Sequence, residues 1–133
     1  MTALARRLGT DDYQVYAFSD GAYLGFPESH DFFGDGSVVI VPAPGHTPGS
    51  VFVFVTVSSG KRYALIGDTA WQIEGVDLPA EKPWLARRLV DVYPEQIRNL
   101  LVRLHVLKRD IPGLTVVPAH DRRLWEDLPQ LGE

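Results

Sequence analysis

The run Val51 to Val57, VFVFVTV, constrains the fold more than any other stretch of the chain. Side chains alternate across a strand. Val51, Val53, Val55 and Val57 therefore share one face, and Phe52, Phe54 and Thr56 the other. Both faces are apolar, so the strand is expected to be buried on both sides, with a layer of structure against each. The neighbouring stretches read as its partners. Asp35-Gly36 is a hairpin turn, and SVVIVP leaves it as a strand. SSGK after Val57 is a second turn, and RYALIG returns from it. Tyr13 to Phe18, YQVYAF, also has strand composition, whereas GFPESHDFFGDGS reads as loop.

The rear of the chain is helical. Pro79 to Pro83 punctuates a loop, and a short helix follows over Trp84 to Val90. Pro94 suits the first turn of a helix, and Glu95 suits its positive end. From there Ile97, Leu100, Leu101, Leu104 and Leu107 form one apolar stripe at helical spacing. Pro112-Gly113 stops that helix, and LTVVPA reads as a last strand. The stripe can cover one face of the sheet, but little else in the chain can cover the second. A wet Val or Phe forgoes roughly 1.5–3 kcal/mol. The isolated chain is therefore expected to associate, most simply as a homodimer packed sheet on sheet.

Composition bounds the function classes. At 133 residues the chain is read as a single domain, 1–133, with 45% hydrophobic residues to fill a core. A formal charge of −4 argues against a nucleic-acid partner. The absence of cysteine excludes disulfides and thiolate metal sites. No run is long enough for a membrane-spanning helix, and MTALARRLGTDD lacks the apolar segment of a secretory signal. A cytoplasmic chain with neither a membrane nor a nucleic-acid partner is expected.

Three strand-like runs stop on residues that can bind a metal: VPAPGHTPGS on His46, LIGDTAW on Asp68 and VVPAHD on His120. Imidazole and carboxylate donors suit zinc, iron or manganese. The prolines and glycines around His46 would fix its direction and let the backbone approach a bound group. Each residue alone has a plainer reading. Asp68 can cap the turn that follows it, as can Asp121, and a loop histidine is usually an ordinary hydrogen-bonded residue. Spacing alone does not bring the three together. Of the other two histidines, His30 reads as solvated and His105 as partly exposed at the edge of the helical stripe.

PGHTPGS, GDTAW and PAHD, in this order and at these separations, resemble the C-terminal half of the metallo-β-lactamase fold superfamily, from about Phe32 to Asp121. The helix PEQIRNLLVRLHVL before the last strand matches the usual layout. The resemblance implies an α/β fold, half of an αββα sandwich. Its sheet would be mostly antiparallel or mixed, with one long C-terminal helix packed on one face. It implies a metal-dependent hydrolase of ester, thioester or lactone-type bonds acting on a small-molecule substrate. His46 is similar to the last histidine of the first metal site, Asp68 to the carboxylate bridging two metals, and His120 to the last histidine of the second site. Trp71 falls on the substrate-facing rim, where lactonase-like members carry a tyrosine; an indole lacks the phenol's oxygen.

The superfamily's H-x-H-x-D-H segment is missing. The only histidines are His30, His46, His105 and His120, and no two lie two apart. The chain thus resembles half of an enzyme, with no catalytic residue of its own assigned. Zinc, or else iron or manganese, is expected at partial occupancy or not at all in the isolated chain. Its expected partner is the missing N-terminal half or a second copy. The competing expectation is a noncatalytic truncated relic or interaction module that oligomerises through its apolar sheet face.

Overall fold

The computed structural model describes residues 17–126 and 128. Five strands, β1 (His30–Asp31), β2 (Val38–Pro42), β3 (Val51–Thr56), β4 (Arg62–Leu65) and β5 (Leu114–Val117), form one sheet in the order β1-β2-β3-β4-β5. Neighbours from β1 to β4 are antiparallel, while β4 and β5 are parallel. A parallel pair needs a long crossover. It carries three helices, α1 (Glu74–Asp77), α2 (Trp84–Val90) and α3 (Pro94–Asp110). The expected mixed sheet with a long helix on it is what forms.

The core lies between the phenylalanine face of the sheet and α3. Phe52, Phe54, Val39, Val41, Ala64 and Val116 are buried there, against Ile97, Leu101 and Leu104 of the helix. Phe26 closes one side, its ring edge-on to Phe52 with centroids 5.7 Å apart. Pro94 opens α3, whose N–H there would be unpaired in any case. The helix stops at Asp110, just before Pro112-Gly113, where Gly113 takes a φ of +79°.

Three expectations need correction. Burial of VFVFVTV on both sides holds only for the phenylalanine face. On the other face Val53 and Val55 are half-buried, and Val51 and Leu65 are 37% and 38% exposed. The reason is that α3 packs on the first face alone. GFPESHDFFGDGS is not all loop, because β1 forms within it and Phe26 pairs in an isolated bridge with Tyr23 just before it. Acidic side chains in and before it organise the backbone. The Asp20 carboxylate accepts the Asp31 N–H (2.8 Å), and Asp31 accepts those of Gly34 (3.0 Å) and Gly36 (2.8 Å). His30 is correspondingly half-buried in β1 rather than solvated, with Nδ1 3.1 Å from Asp20. The strand expected over Tyr13 to Phe18 lies outside the described residues except for Ala17 and Phe18, which are not strand. Among the described residues no helix is long and apolar enough to cross a membrane.

The two sides of α3 should respond differently to truncation. Leu104→Ala removes a fully buried side chain and should cost about 2–5 kcal/mol. Val102→Ala, at a position 48% exposed, should stay within about 0.5 kcal/mol. Denaturant unfolding of the two variants measures this; the reverse order would mean that α3 buries its other face.

Candidate metal centre

The sheet register brings the three metal-binding candidates to one edge. In the parallel pair Leu65 lies opposite Val117, and Asp68 and His120 each follow three positions later. The pairing continues beyond the strands. Ile66 N–H donates to Val117 O (3.1 Å), and Ala119 N–H to Gly67 O (3.1 Å). Gly67 takes a φ of +54°, a left-handed conformation that glycine adopts without strain, and this turns the chain so that Asp68 follows directly. On the other side β3 runs antiparallel to β4 with Val53 opposite Leu65, so the β2–β3 loop bearing His46 reaches the same edge.

That loop is held firmly. Ala43 N–H donates to Ser50 O (2.9 Å), the Thr47 and Ser50 hydroxyls are 2.9 Å apart, and Thr47 N–H donates to Ser50 Oγ (3.1 Å). The carbonyls of Gly45 and His46 accept the N–H groups of Tyr93 (2.8 Å) and Val92 (3.2 Å) just before α3. Gly45 sits close against the core: a Cβ there would lie 2.7 Å from Ile97 Cδ1 and would force that side chain to shift.

The side chains then meet on Asp68. His46 Nε2 is 3.6 Å from Asp68 Oδ2, and His120 Nε2 is 2.7 Å from Asp68 Oδ1. Asp68 Oδ1 is buried yet accepts no hydrogen bond of acceptable geometry. The His120 ring nitrogen faces it as an ion-pair contact rather than a well-formed hydrogen bond, and a cation there would satisfy the oxygen more fully. Two imidazoles and a carboxylate are the right kind of donors. Bonds of about 2.1 Å in a tetrahedron place two donor atoms roughly 3.4 Å apart. The His46–Asp68 gap suits that spacing, whereas the His120–Asp68 gap is too short for it. Among the described residues no group of three or more His, Cys, Asp or Glu side chains is arranged to hold a metal ion. The donors fit an ion in kind and along one edge, but they do not close a site by themselves.

Two residues not singled out by sequence reasoning sit behind His46. Asp91 Oδ1 lies 3.0 Å from His46 Nδ1 and 2.6 Å from Lys82 Nζ. The carboxylate of Asp91 is fully buried, and the Lys82 side chain is 3% exposed. A buried Lys–Asp pair leaves no hydrophobic pattern to read. The only hint was an aspartate set among apolar neighbours, LVDVY, which reads equally well as the approach to a helix start.

Beside His120 lies a cavity of about 680 Å³, walled by Trp71, Leu78, Ala80, Lys82 and Pro83 among others. Trp71 is 39% exposed, with its ring centroid 5.8 Å from Lys82 Nζ. Asp121 is not a turn cap. Its Oδ2 accepts the Ile73 N–H (3.0 Å), and Arg123 grips it through Nε and Nη2 (both 2.7 Å) while also holding Glu74 at 2.8 Å with two donors. The turn carrying His120 is thereby tied to α1. His105, half-buried on α3, has its Nδ1 3.1 Å from Val76 O and takes no part in the centre.

This sheet with its long helix matches part of the metallo-β-lactamase fold. Similar solved structures include N-acyl homoserine lactone hydrolases. One was solved with the product N-hexanoyl-L-homoserine bound at its catalytic metal center. Another is a mutant of the B. thuringiensis protein AiiA with N-decanoyl-L-homoserine at its active site. Each has a TM-score of 0.58 and 19% identity over 79% of this chain. A quorum-quenching N-acyl homoserine lactone hydrolase gives 0.55 and 20% over 73%. The chain spans only 38%, 38% and 37% of these three proteins, and the likeness is one of fold. No family model and no curated protein matches the chain.

The Asp121 clamp predicts a pH signature. Chiefly through the Arg123 guanidinium, helped by the Ile73 N–H, the Asp121 carboxyl is held down from 3.8 to about 2. A depressed carboxyl contributes stability above its unfolded pKa and loses it as pH falls through the folded one. The contribution should therefore be complete above about pH 4 and fade towards about pH 2. Thermal unfolding across that range should show wild type converging on Asp121→Asn as pH falls. A constant gap between the two would refute the clamp.

Proposed function

We propose that this chain is the C-terminal half of a metal-dependent hydrolase of the metallo-β-lactamase type, acting in the cytoplasm. It contributes His46, Asp68 and His120 to a metal centre that a complementary half completes. The observation that supports this best is the meeting of the three at one sheet edge, with His46 Nε2 facing Asp68 Oδ2 and His120 Nε2 facing the buried Asp68 Oδ1. Zinc is the favoured ion, with iron and manganese as alternatives for the same donors. Once bound it supplies Lewis acidity and the means to activate water. The chain's own residues do the rest. His46 and His120 present ring nitrogens, Asp68 brings negative charge between them, and Trp71 lines the neighbouring cavity as a substrate-binding residue. The substrate class is an ester, thioester or lactone. The apolar wall of Trp71, Leu78 and Pro83 suits an acyl group, in keeping with the acyl homoserines bound by the similar structures.

Metal content after dialysis tests the centre. Wild type should retain zinc weakly and substoichiometrically, and His46→Ala should retain about tenfold less. Equal zinc in both would remove His46 from the site. The chain alone should hydrolyse ester and lactone substrates at background. Joining it to a complementary half should raise the rate, and Asp68→Ala should abolish that gain.

A second reading, a noncatalytic module that self-associates, is favoured by the half-exposed valine face and by Leu65. Under it, light scattering at micromolar concentration would report a homodimer, and Val53→Lys would return it to monomer. A soluble monomer that binds no hydrophobic dye would dismiss this reading.

A further inference from the structure

The geometry points to Asp91 as the positioning residue of His46, held in turn by Lys82, an inference that rests on the proposed metal centre. A carboxylate offers only acceptors, so a hydrogen bond to Asp91 Oδ1 at 3.0 Å places a proton on His46 Nδ1. In the neutral ring that leaves Nε2 as the bare nitrogen, and Nε2 is the atom facing Asp68. A metal-binding histidine needs this arrangement, with one nitrogen free for the ion and the other anchored to an oxygen that fixes ring tautomer and direction. Asp91 is itself anchored. Lys82 Nζ donates to the same oxygen at 2.6 Å, and both side chains are almost wholly shielded from water. A buried carboxylate needs such a partner, because an unpaired charge there would be far more costly than the pair.

The arrangement runs in one direction, from Lys82 through Asp91 and His46 to Asp68. It joins the loop before α2, the approach to α3, the β2–β3 loop and the turn after β4. Backbone bonds alone would leave the imidazole free to turn about its last torsion. The Gly45 and His46 carbonyls fix the loop, while Asp91 fixes the ring. Lys82 also borders the cavity beside Trp71, so its charge is offset by Asp91 at the place where a substrate would enter.

Long-range proton–nitrogen correlation NMR of the 15N-labelled, metal-free chain reads the tautomer directly. Wild type should show His46 protonated on Nδ1. Asp91→Asn keeps an acceptor oxygen and should keep that tautomer. The double variant Lys82→Met/Asp91→Leu removes the pair without stranding a charge. It should remain folded and move His46 towards the Nε2-protonated form. Zinc titration should show about 10- to 100-fold weaker binding in the double variant, partly restored in Asp91→Asn. An unchanged tautomer in the folded double variant would overturn the inference, as would unchanged zinc affinity where wild type binds zinc. If wild type binds no zinc, the metal reading fails, and the tautomer measurement still decides whether Asp91 orients His46.

Discussion

The parallel pairing of β4 with β5 is the constraint on which the rest depends. Among the described residues it is the one parallel junction in an otherwise antiparallel sheet, and it obliges the chain to leave the sheet and return. The long crossover supplies α3, which covers the phenylalanine face and forms the core. It also supplies Lys82 and Asp91. Because parallel strands end at the same side, the turns after β4 and β5 emerge together. The two backbone bonds that extend the pairing hold Asp68 and His120 in step. One topological requirement thus generates both the core and the site.

The site is layered from rigid backbone outward. The β2–β3 loop is stitched internally by Thr47 and Ser50 and externally by the N–H groups that precede α3. Gly45 sits so close to Ile97 that the loop and the helix core share one packing surface. A side chain presented from such a loop has few ways to move. The His120 side is looser: that side chain is 64% exposed, and its turn is secured mainly through Arg123.

The main strands and α3 were legible because their signals are local. VFVFVTV alternates, the stripe from Ile97 to Leu107 repeats at helical spacing, and Pro94 and Pro112-Gly113 mark the boundaries of α3. His46, Asp68 and His120 could be picked out because each ends a strand-like run, but only the resemblance suggested that they meet. β1 was missed because its residues look like loop, and the Asp20 and Asp31 bonds that order it are invisible in composition. Asp91 and Lys82 were missed for the opposite reason. Their positions suggest solvent, yet they are buried because each neutralises the other. The valine face of β3 was misjudged, since alternation shows that a face is apolar without showing that anything covers it.

The contact between His46 and Asp91 spans 45 positions, and His120 lies a further 29 along the chain. No contiguous fragment shorter than the stretch from His46 to His120 contains the whole cluster. Closing so large a loop costs entropy before the contacts that reward it exist. The cluster should therefore be completed late in folding, after the sheet and α3 have engaged. A ligand that recognises only the completed cluster would act as a thermodynamic sensor of the finished fold, drawing the last step forward in proportion to its concentration.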